Sequence, residues 1–253
     1  MTFEVFLRSG ARMDELDSET VPLVLTGPPY WPAEVEAGLK RPPAHKHQVD
    51  ALSETLISFA LSLRPVLGDC FRVMQPGGAL VMQTRDLRFG DRLVPLAAAH
   101  RQMMEALGFD LFTQYAWQPG RPEPDRVREV VLAGKRGRFR PVDPELFLVF
   151  LKPGGRVTRG APTEVDRQAL GNPCLTTERG RLPHPHRWQA PLPVCETFVR
   201  TFTLPSDLVV DPFAGHGTTL LAAERNGRRS IGYDIEPGCV EAARKNVEAI
   251  RNA

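Results

Sequence analysis

The 253-residue sequence has few cysteines and no long run of apolar residues. Its four cysteines, Cys70, Cys174, Cys195 and Cys239, include no CxxC pair. We therefore predict free thiols in a reducing compartment, and neither a disulfide framework nor a zinc site. No apolar run approaches the roughly 20 residues that a membrane helix needs. Residues 1–10 lack the long apolar core of a signal peptide, so we expect a cytoplasmic protein that does not associate with membranes.

A large excess of charge of one sign is also lacking. The 32 basic residues nearly balance the 30 acidic residues, which leaves a formal net charge of +2. This balance does not require a nucleic-acid partner, although a local basic face could still bind one. The hydrophobic fraction of 42% is enough for a buried core, and the length favours a single domain with an insertion.

Strand-like and helix-like patterns alternate along the chain, which predicts an α/β fold with a mostly parallel sheet covered on both faces. A stiff proline loop follows the first strand, a turn occupies residues 75–78, and a surface loop is expected at 32–49. The helical segment that contains Pro65 is expected either to split there or to begin a second helix with it. The predicted strands are 21–26, 79–83, 109–117, 146–152, 208–210 and 229–233, and the predicted helices are 51–74, 93–107, 217–226 and 237–249.

A glycine loop near the C-terminus, residues 211–219, leaves a predicted strand and opens a predicted helix. It has no lysine, which excludes a phosphate-binding P-loop, and its only pattern is Gly215-x-Gly217, which falls short of the dinucleotide fingerprint. Asp234 ends the next strand, where an acid can bind two ribose hydroxyls. The loop therefore indicates an adenosine-like ligand with a small anionic group. The alternative is an ordinary tight turn with a surface aspartate.

The proline loop Thr26-Gly27-Pro28-Pro29-Tyr30-Trp31 resembles the Ser/Asp/Asn-Pro-Pro-aromatic motif of S-adenosylmethionine-dependent DNA amino methyltransferases. The C-terminal loop resembles their Asp-Pro-Phe-x-Gly-x-Gly-Thr-Thr cofactor motif, and the motif order is that of the permuted β class. The resemblance implies a Rossmann-like methyltransferase fold and an enzyme that methylates an exocyclic base amine. It assigns catalysis to Gly27, Pro28, Pro29 and Tyr30, and cofactor binding to Asp211, Pro212, Phe213, Ala214, Gly215, Gly217, Thr218 and Asp234.

The chemistry of the reaction explains these residue types. The lone pair of a base amine is delocalised, so acceptors that hold its hydrogens must orient the nitrogen for attack. Proline fixes the positions of the backbone carbonyls, and the Pro28 carbonyl is expected to accept a hydrogen bond from the amine. Tyr30 is expected to stack on a base that has been flipped out of the duplex.

Further matches to the family cover most of the chain except 32–49 and 153–183. We interpret 153–183 as a small target-recognition insertion in one catalytic domain, 1–253. Residues 184–193 either close over the methionine end of the cofactor or form a proline-rich lead-in to a helix. Seven basic residues between 121 and 140 either contact phosphates or form a solvated face. The expected partner is double-stranded DNA, with a restriction endonuclease as a further candidate, and the protein is expected to be a monomer or homodimer.

One position departs from the family pattern. Gly27 stands where the family has Ser, Asp or Asn, so the side chain that helps to bind the amine is absent. Thr26 or a residue elsewhere could substitute, activity could be reduced, or the protein could bind nucleic acid without catalysis. The flanking Thr and Tyr-Trp favour cytosine N4 over adenine N6 as the target. RNA or another amine stays open as the substrate.

Overall fold

A computed structural model describes residues 3–30, 46–89, 92–119, 144–177, 180, 182–184 and 189–251. These residues form ten strands and seven helices. The strands are β1 (Phe3–Leu7), β2 (Val21–Thr26), β3 (Met74–Thr84), β4 (Leu87–Phe89), β5 (Arg92–Val94), β6 (Asp110–Pro119), β7 (Glu145–Leu151), β8 (Cys174–Thr177), β9 (Leu208–Asp211) and β10 (Arg229–Asp234). The helices are α1 (Lys46–Ser62), α2 (Arg64–Val73), α3 (Leu96–Ala106), α4 (Glu164–Leu170), α5 (Leu192–Phe202), α6 (Thr218–Arg225) and α7 (Pro237–Arg251). None of the described helices is long and apolar enough to span a bilayer.

Eight strands form one sheet in the order β1-β10-β9-β2-β3-β7-β6-β8. The first five of these run parallel to one another, and β7 is antiparallel to both of its neighbours. The prediction of a mostly parallel sheet is therefore confirmed. Strand β2, near the start of the chain, lies beside β9, near its end. The loops that follow these two strands consequently leave the same edge of the sheet.

The central strands are apolar because helices cover both faces of the sheet. In β2, Leu23 and Leu25 point into one hydrophobic cluster, which includes side chains of α5 and α6. Val24 points to the opposite face and packs in a second cluster with side chains of α2 and α3. All six residues of β2 are buried. This double burial holds the strand that carries the proline loop in a fixed position.

Most predicted elements are present, and the differences have local causes. Pro65 lies in the first turn of α2, so the chain both splits there and starts a second helix with proline. The predicted turn at 75–78 lies within β3, where the pairing with β2 jumps from Val21–Met74 to Leu23–Ala79. Gly77 has φ +81° in this irregularity. The expected loop at 32–49 was wrong at 46–49, which begin α1, because polar residues there are compatible with a helix.

The segment 153–183 packs closely on the rest of the fold where it is described. Helix α4 begins with a capping box between Thr163 and Asp166. Asp166 is almost fully buried and accepts hydrogen bonds from Arg200 and Thr197 of α5. Strand β8 adds a parallel edge strand beside β6. The segment therefore extends the main sheet and is anchored to α5 by a buried carboxylate.

Candidate active site

The two predicted loops meet at the carboxyl edge of the sheet through hydrogen bonds. The Thr26 hydroxyl donates to Asp211 Oδ1 at 2.6 Å, across 185 residues of sequence. The Thr219 hydroxyl donates to the Leu25 carbonyl at 3.1 Å. These bonds join the end of β2 to the end of β9 and to the first turn of α6. The proline loop and the glycine loop are thus parts of one site.

A cavity of about 800 Å³ opens between these loops. Almost every residue that the sequence singles out lines it. From the proline loop these are Gly27, Pro28, Pro29 and Tyr30, and from the cofactor segment they are Asp211, Pro212, Phe213, Ala214, Gly215, Thr218 and Asp234. The exception, Gly217, packs behind the loop.

Gly217 shapes the loop from behind. It has φ +82° and is the N-cap of α6. A Cβ at this position would lie 2.9 Å from Ala243 Cβ on α7. Glycine is therefore required both for the left-handed backbone and for the close approach of two helices.

Asp234 is held rigidly at the cavity wall. Its Oδ2 accepts the Gly215 N–H at 2.8 Å, and its Oδ1 accepts the Glu236 N–H at 2.9 Å. Each carboxylate oxygen has a second lone pair, so the group can still bind hydroxyls. A Cβ added to Gly215 would meet no atom within 4 Å, which leaves open space for a ligand against the loop backbone. A fixed acceptor beside an open glycine backbone fits the ribose end of S-adenosylmethionine.

Asp211 is a buried carboxylate at the junction of the two loops. It is 4% exposed, and this burial raises its pKa to about 6, against the opposing hydrogen bonds from Thr26 and the Phe213 N–H. The carboxylate fixes the start of the glycine loop and its attachment to the proline loop. Its position between them couples the geometry of the two halves of the site.

The structure also shows what surrounds Gly27. The Thr26 hydroxyl donates a hydrogen bond to Asp211, and Thr26 is only 2% exposed, so its side chain serves to join the two loops. A Cβ at Gly27 would lie 3.6 Å from Gln83 Cβ, an ordinary contact, so the backbone there has room for a side chain. Gly27 is therefore not imposed by crowding.

Several cavity residues carry no motif in the sequence. The segment after β1 contributes residues 8–11, and a Cβ at Gly10 would lie 2.8 Å from Pro212 Cβ. In the sequence, this segment is marked only by a glycine three residues after a short strand, which indicates no ligand. Other lining residues outside the motifs come from several elements: Leu25, Phe59, Ser62, Leu63, Pro65, Val66, Gln83, Phe147, Cys195, Ile235, Glu236 and Cys239.

The predicted cofactor-closing segment, 184–193, is described only in part. The His184 backbone is fixed by Asn246 of α7, which accepts its N–H at 2.8 Å and donates to its carbonyl at 3.0 Å. Gln189 and Ala190 line the cavity. Residues 185–188, like the basic stretch 121–140, lie outside the described residues. Contact of 184–193 with the cofactor stays a prediction. Among the described residues, no group of three or more metal-binding side chains is assembled.

Comparison with known proteins places this site in a family. The model of the N6_N4_Mtase family, described as DNA methylase, matches residues 21–245. The chain belongs to the N6/N4 DNA methylase family. The type II methyltransferase M.MjaI of Methanocaldococcus jannaschii is 25% identical over 274 aligned residues, which cover 92% of this chain and 87% of that protein.

Solved structures agree with this family. A protein of Thermus thermophilus, described as a candidate DNA modification methylase and crystallised with S-adenosyl-L-methionine, aligns with a TM-score of 0.71 and 26% identity. The alignment covers 98% of this methylase and 94% of that chain. The cytosine-N4-specific PvuII DNA methyltransferase has the same fold, with a TM-score of 0.68 at 19% identity and coverage of 100% and 91%. The predicted family, fold class, enzyme class and cofactor are confirmed.

Proposed function

We propose that this methylase transfers a methyl group from S-adenosylmethionine to the exocyclic amine of a base in double-stranded DNA, with cytosine N4 as the target. The observation that carries the proposal is the Thr26–Asp211 bond, which joins the amine loop and the cofactor loop around one cavity. Because of this junction, the amine and the methyl donor can bind side by side. The pattern from Thr26 to Trp31 supports cytosine over adenine as the target base.

In this proposal each loop has a separate task. Asp234 binds the ribose hydroxyls, and the backbone of the glycine loop lies along the rest of the cofactor. S-adenosylmethionine would supply an electrophilic methyl group, and the sulfonium sulfur would keep the electron pair of the broken S–C bond. The Pro28 carbonyl accepts an N–H of the target amine and thereby directs the nitrogen lone pair toward the cofactor side of the cavity. The methylated nitrogen is acidic and releases its proton to water.

The proposed partners are double-stranded DNA and a restriction endonuclease. Site-specific DNA binding is assigned to the insertion 153–183 within a single catalytic domain, 1–253. The basic stretch 121–140 is assigned to phosphate contacts. A restriction endonuclease that cuts the same site is the proposed partner in the cell, and the methylase acts as a monomer or homodimer in the cytoplasm.

The identity of the target base is tested by mass spectrometry. Purified protein is incubated with S-adenosylmethionine and mixed-sequence duplex DNA, and the DNA is then digested to nucleosides. We expect N4-methylcytosine. N6-methyladenine would contradict the base assignment and retain the enzyme class, and methylation of RNA alone would contradict the DNA assignment.

Tyr30 lines the cavity beside the hydrophobic cluster that contains Leu56 and Leu96. We predict that Tyr30→Ala lowers kcat/KM for methyl transfer, because loss of base stacking costs about 1–3 kcal/mol, or roughly 5- to 150-fold. Tyr30→Phe keeps the ring and should stay close to wild type. Transfer assays on duplex DNA, with cofactor affinity measured in parallel, make the comparison. A wild-type rate for Tyr30→Ala would exclude the stacking role.

A further inference from the structure

The space left by Gly27 is faced by a polar side chain from the neighbouring strand. Thr26, the last residue of β2, pairs with Met82 of the parallel strand β3. Gly27 and Gln83 are the residues that follow this pair. Gln83 Oε1 lies 3.7 Å from the point where a Gly27 Cβ would stand. Gln83 is 4% exposed, and it lines the cavity together with Pro28 and Tyr30. An amide therefore adjoins the position where the family carries its polar side chain.

Glu145 fixes the orientation of this amide. Gln83 and Phe147 are directly paired on β3 and β7, and Glu145 lies two residues before Phe147, so the three side chains share one face of the sheet. Gln83 Nε2 donates a hydrogen bond to Glu145 Oε2. The Glu145 oxygen accepts this hydrogen bond, so the carboxyl group binds the NH₂ end of the amide and not its oxygen. This pairing leaves Oε1 on the side of Gly27.

We propose that Gln83 Oε1 accepts a hydrogen bond from the target amine in place of the side chain missing at Gly27, and that Glu145 is its positioning residue. This inference rests on the proposed function. An exocyclic amine has two N–H groups, and in this arrangement one binds the Pro28 carbonyl and the other binds Gln83. As the nitrogen lone pair forms its bond to the methyl carbon, positive charge develops on the amine. A preorganised amide oxygen stabilises that charge, and the surplus proton then leaves to water.

The role of Gln83 is tested by single-turnover methyl transfer with Gln83→Ala. We expect the rate of the chemical step to fall about 10²- to 10³-fold, the usual effect of removing one preorganised hydrogen-bonding group at a reacting centre. The dissociation constant for S-adenosylmethionine should stay within about twofold, because the cofactor end of the cavity is unchanged. Gln75→Ala is the matched control, since Gln75 lies on the same strand and instead donates to Thr158. That variant should react at the wild-type rate.

Rescue separates a catalytic role from a structural one. Gly27→Asn places an amide directly after the adjoining strand β2. The double variant Gln83→Ala with Gly27→Asn should therefore react at least about tenfold faster than Gln83→Ala alone. Glu145→Gln should lower the rate about tenfold, because an amide can bind either end of Gln83 and no longer fixes its orientation. If Gln83 only filled space, Gly27→Asn would not restore the rate and Glu145→Gln would not lower it.

The outcomes distinguish this inference from the function on which it rests. A wild type that methylates DNA while Gln83→Ala matches its rate would overturn the role of Gln83 alone. A slow Gln83→Ala that Gly27→Asn does not rescue, with lowered cofactor affinity and thermal stability, would also overturn it in favour of a structural pair. A wild type that binds S-adenosylmethionine but methylates no base would overturn the proposed function, and the role of Gln83 with it.

Discussion

At the scale of single residues, Asp234 connects the glycine loop to the proposed ribose site. Its two oxygens accept the N–H groups of Gly215 and Glu236, so the carboxylate is placed before any ligand binds. We predict that Asp234→Ala weakens S-adenosylmethionine binding about 10- to 100-fold, since a hydrogen bond to a charged group contributes about 1.5–3 kcal/mol. Isothermal titration calorimetry measures the change.

The control for that measurement is Asp207→Ala. Asp207 lies just before the amino end of β9, at the opposite edge of the sheet, and accepts the Leu204 N–H at 2.7 Å. Its replacement should leave cofactor affinity unchanged. An Asp234→Ala protein that binds the cofactor as tightly as wild type would remove Asp234 from the binding site.

Asp211 gives the ligand-free protein a specific dependence on pH. Burial raises its pKa in the folded state to about 6 from 3.8, so folding favours the protonated carboxyl. Its contribution to stability is therefore present in full below the unfolded pKa and is lost as the pH rises through about 6. Relative to Asp211→Asn, the unfolding free energy of wild type should fall by up to about 3 kcal/mol between about pH 4 and pH 7.

Urea denaturation of both proteins across this pH range tests the Asp211 prediction. Asn keeps an oxygen that can accept from Thr26 and Phe213, which makes it the matched replacement. A constant difference in stability between the two proteins would show that Asp211 is ionised with an ordinary pKa.

At the scale of elements, α4 depends on α5 through the pair Asp166–Arg200. Asp166 has its pKa held well below the usual range by Arg200 and by hydrogen bonds from Thr163 and Thr197, in opposition to its burial. We predict that Arg200→Ala destabilises the protein by about 3–5 kcal/mol, because it leaves a buried carboxylate without its cation. Chemical denaturation measures this loss.

The matched control is Arg167→Ala, on α4 itself. Its partner Glu164 is exposed, so loss of that pair should change stability by less than about 1 kcal/mol. Equal effects of the two substitutions would contradict the anchoring role of Asp166.

The elements that the sequence predicts best are those with continuous burial. The apolar run of β2 predicts its strand with the observed ends, and β9, α6, β10 and α7 differ from prediction by one or two residues at their ends. The helix expected from Leu93 begins only at Leu96, because Pro95 starts it and Leu93 belongs to a short hairpin. Short edge strands such as β8 bury little and so leave no periodic signal.

Some residues of the candidate site could be predicted from the sequence, and others could not. Its loops are contiguous in sequence, so local residue types indicated Pro28, Tyr30 and Asp234. Gln83 and Glu145 come from separate strands and acquire meaning only through pairing across β3 and β7. A local sequence pattern does not show which residues become neighbours across paired strands, so the residue that faces Gly27 could not be predicted from the sequence.

At the scale of the whole molecule, the site depends on the permuted order of the chain. The strands that carry the two loops lie far apart in sequence and side by side in the sheet, with Leu23 paired to Val209 and Val24 to Val210. The hydrogen bond between Thr26 and Asp211 closes the site across this junction. The proposed reaction therefore requires both ends of the chain to contribute to one site.

Methyl transfer to DNA tests this claim most directly. The protein is incubated with S-adenosylmethionine that carries a tritiated methyl group and with duplex DNA, and the label in purified DNA is counted, with Asp234→Ala as the background. We expect label in the DNA with the wild type and, at low cofactor concentration, a strong reduction with Asp234→Ala. A wild type that binds the labelled cofactor and leaves the DNA unlabelled would show that the two loops do not form a DNA methyl-transfer site.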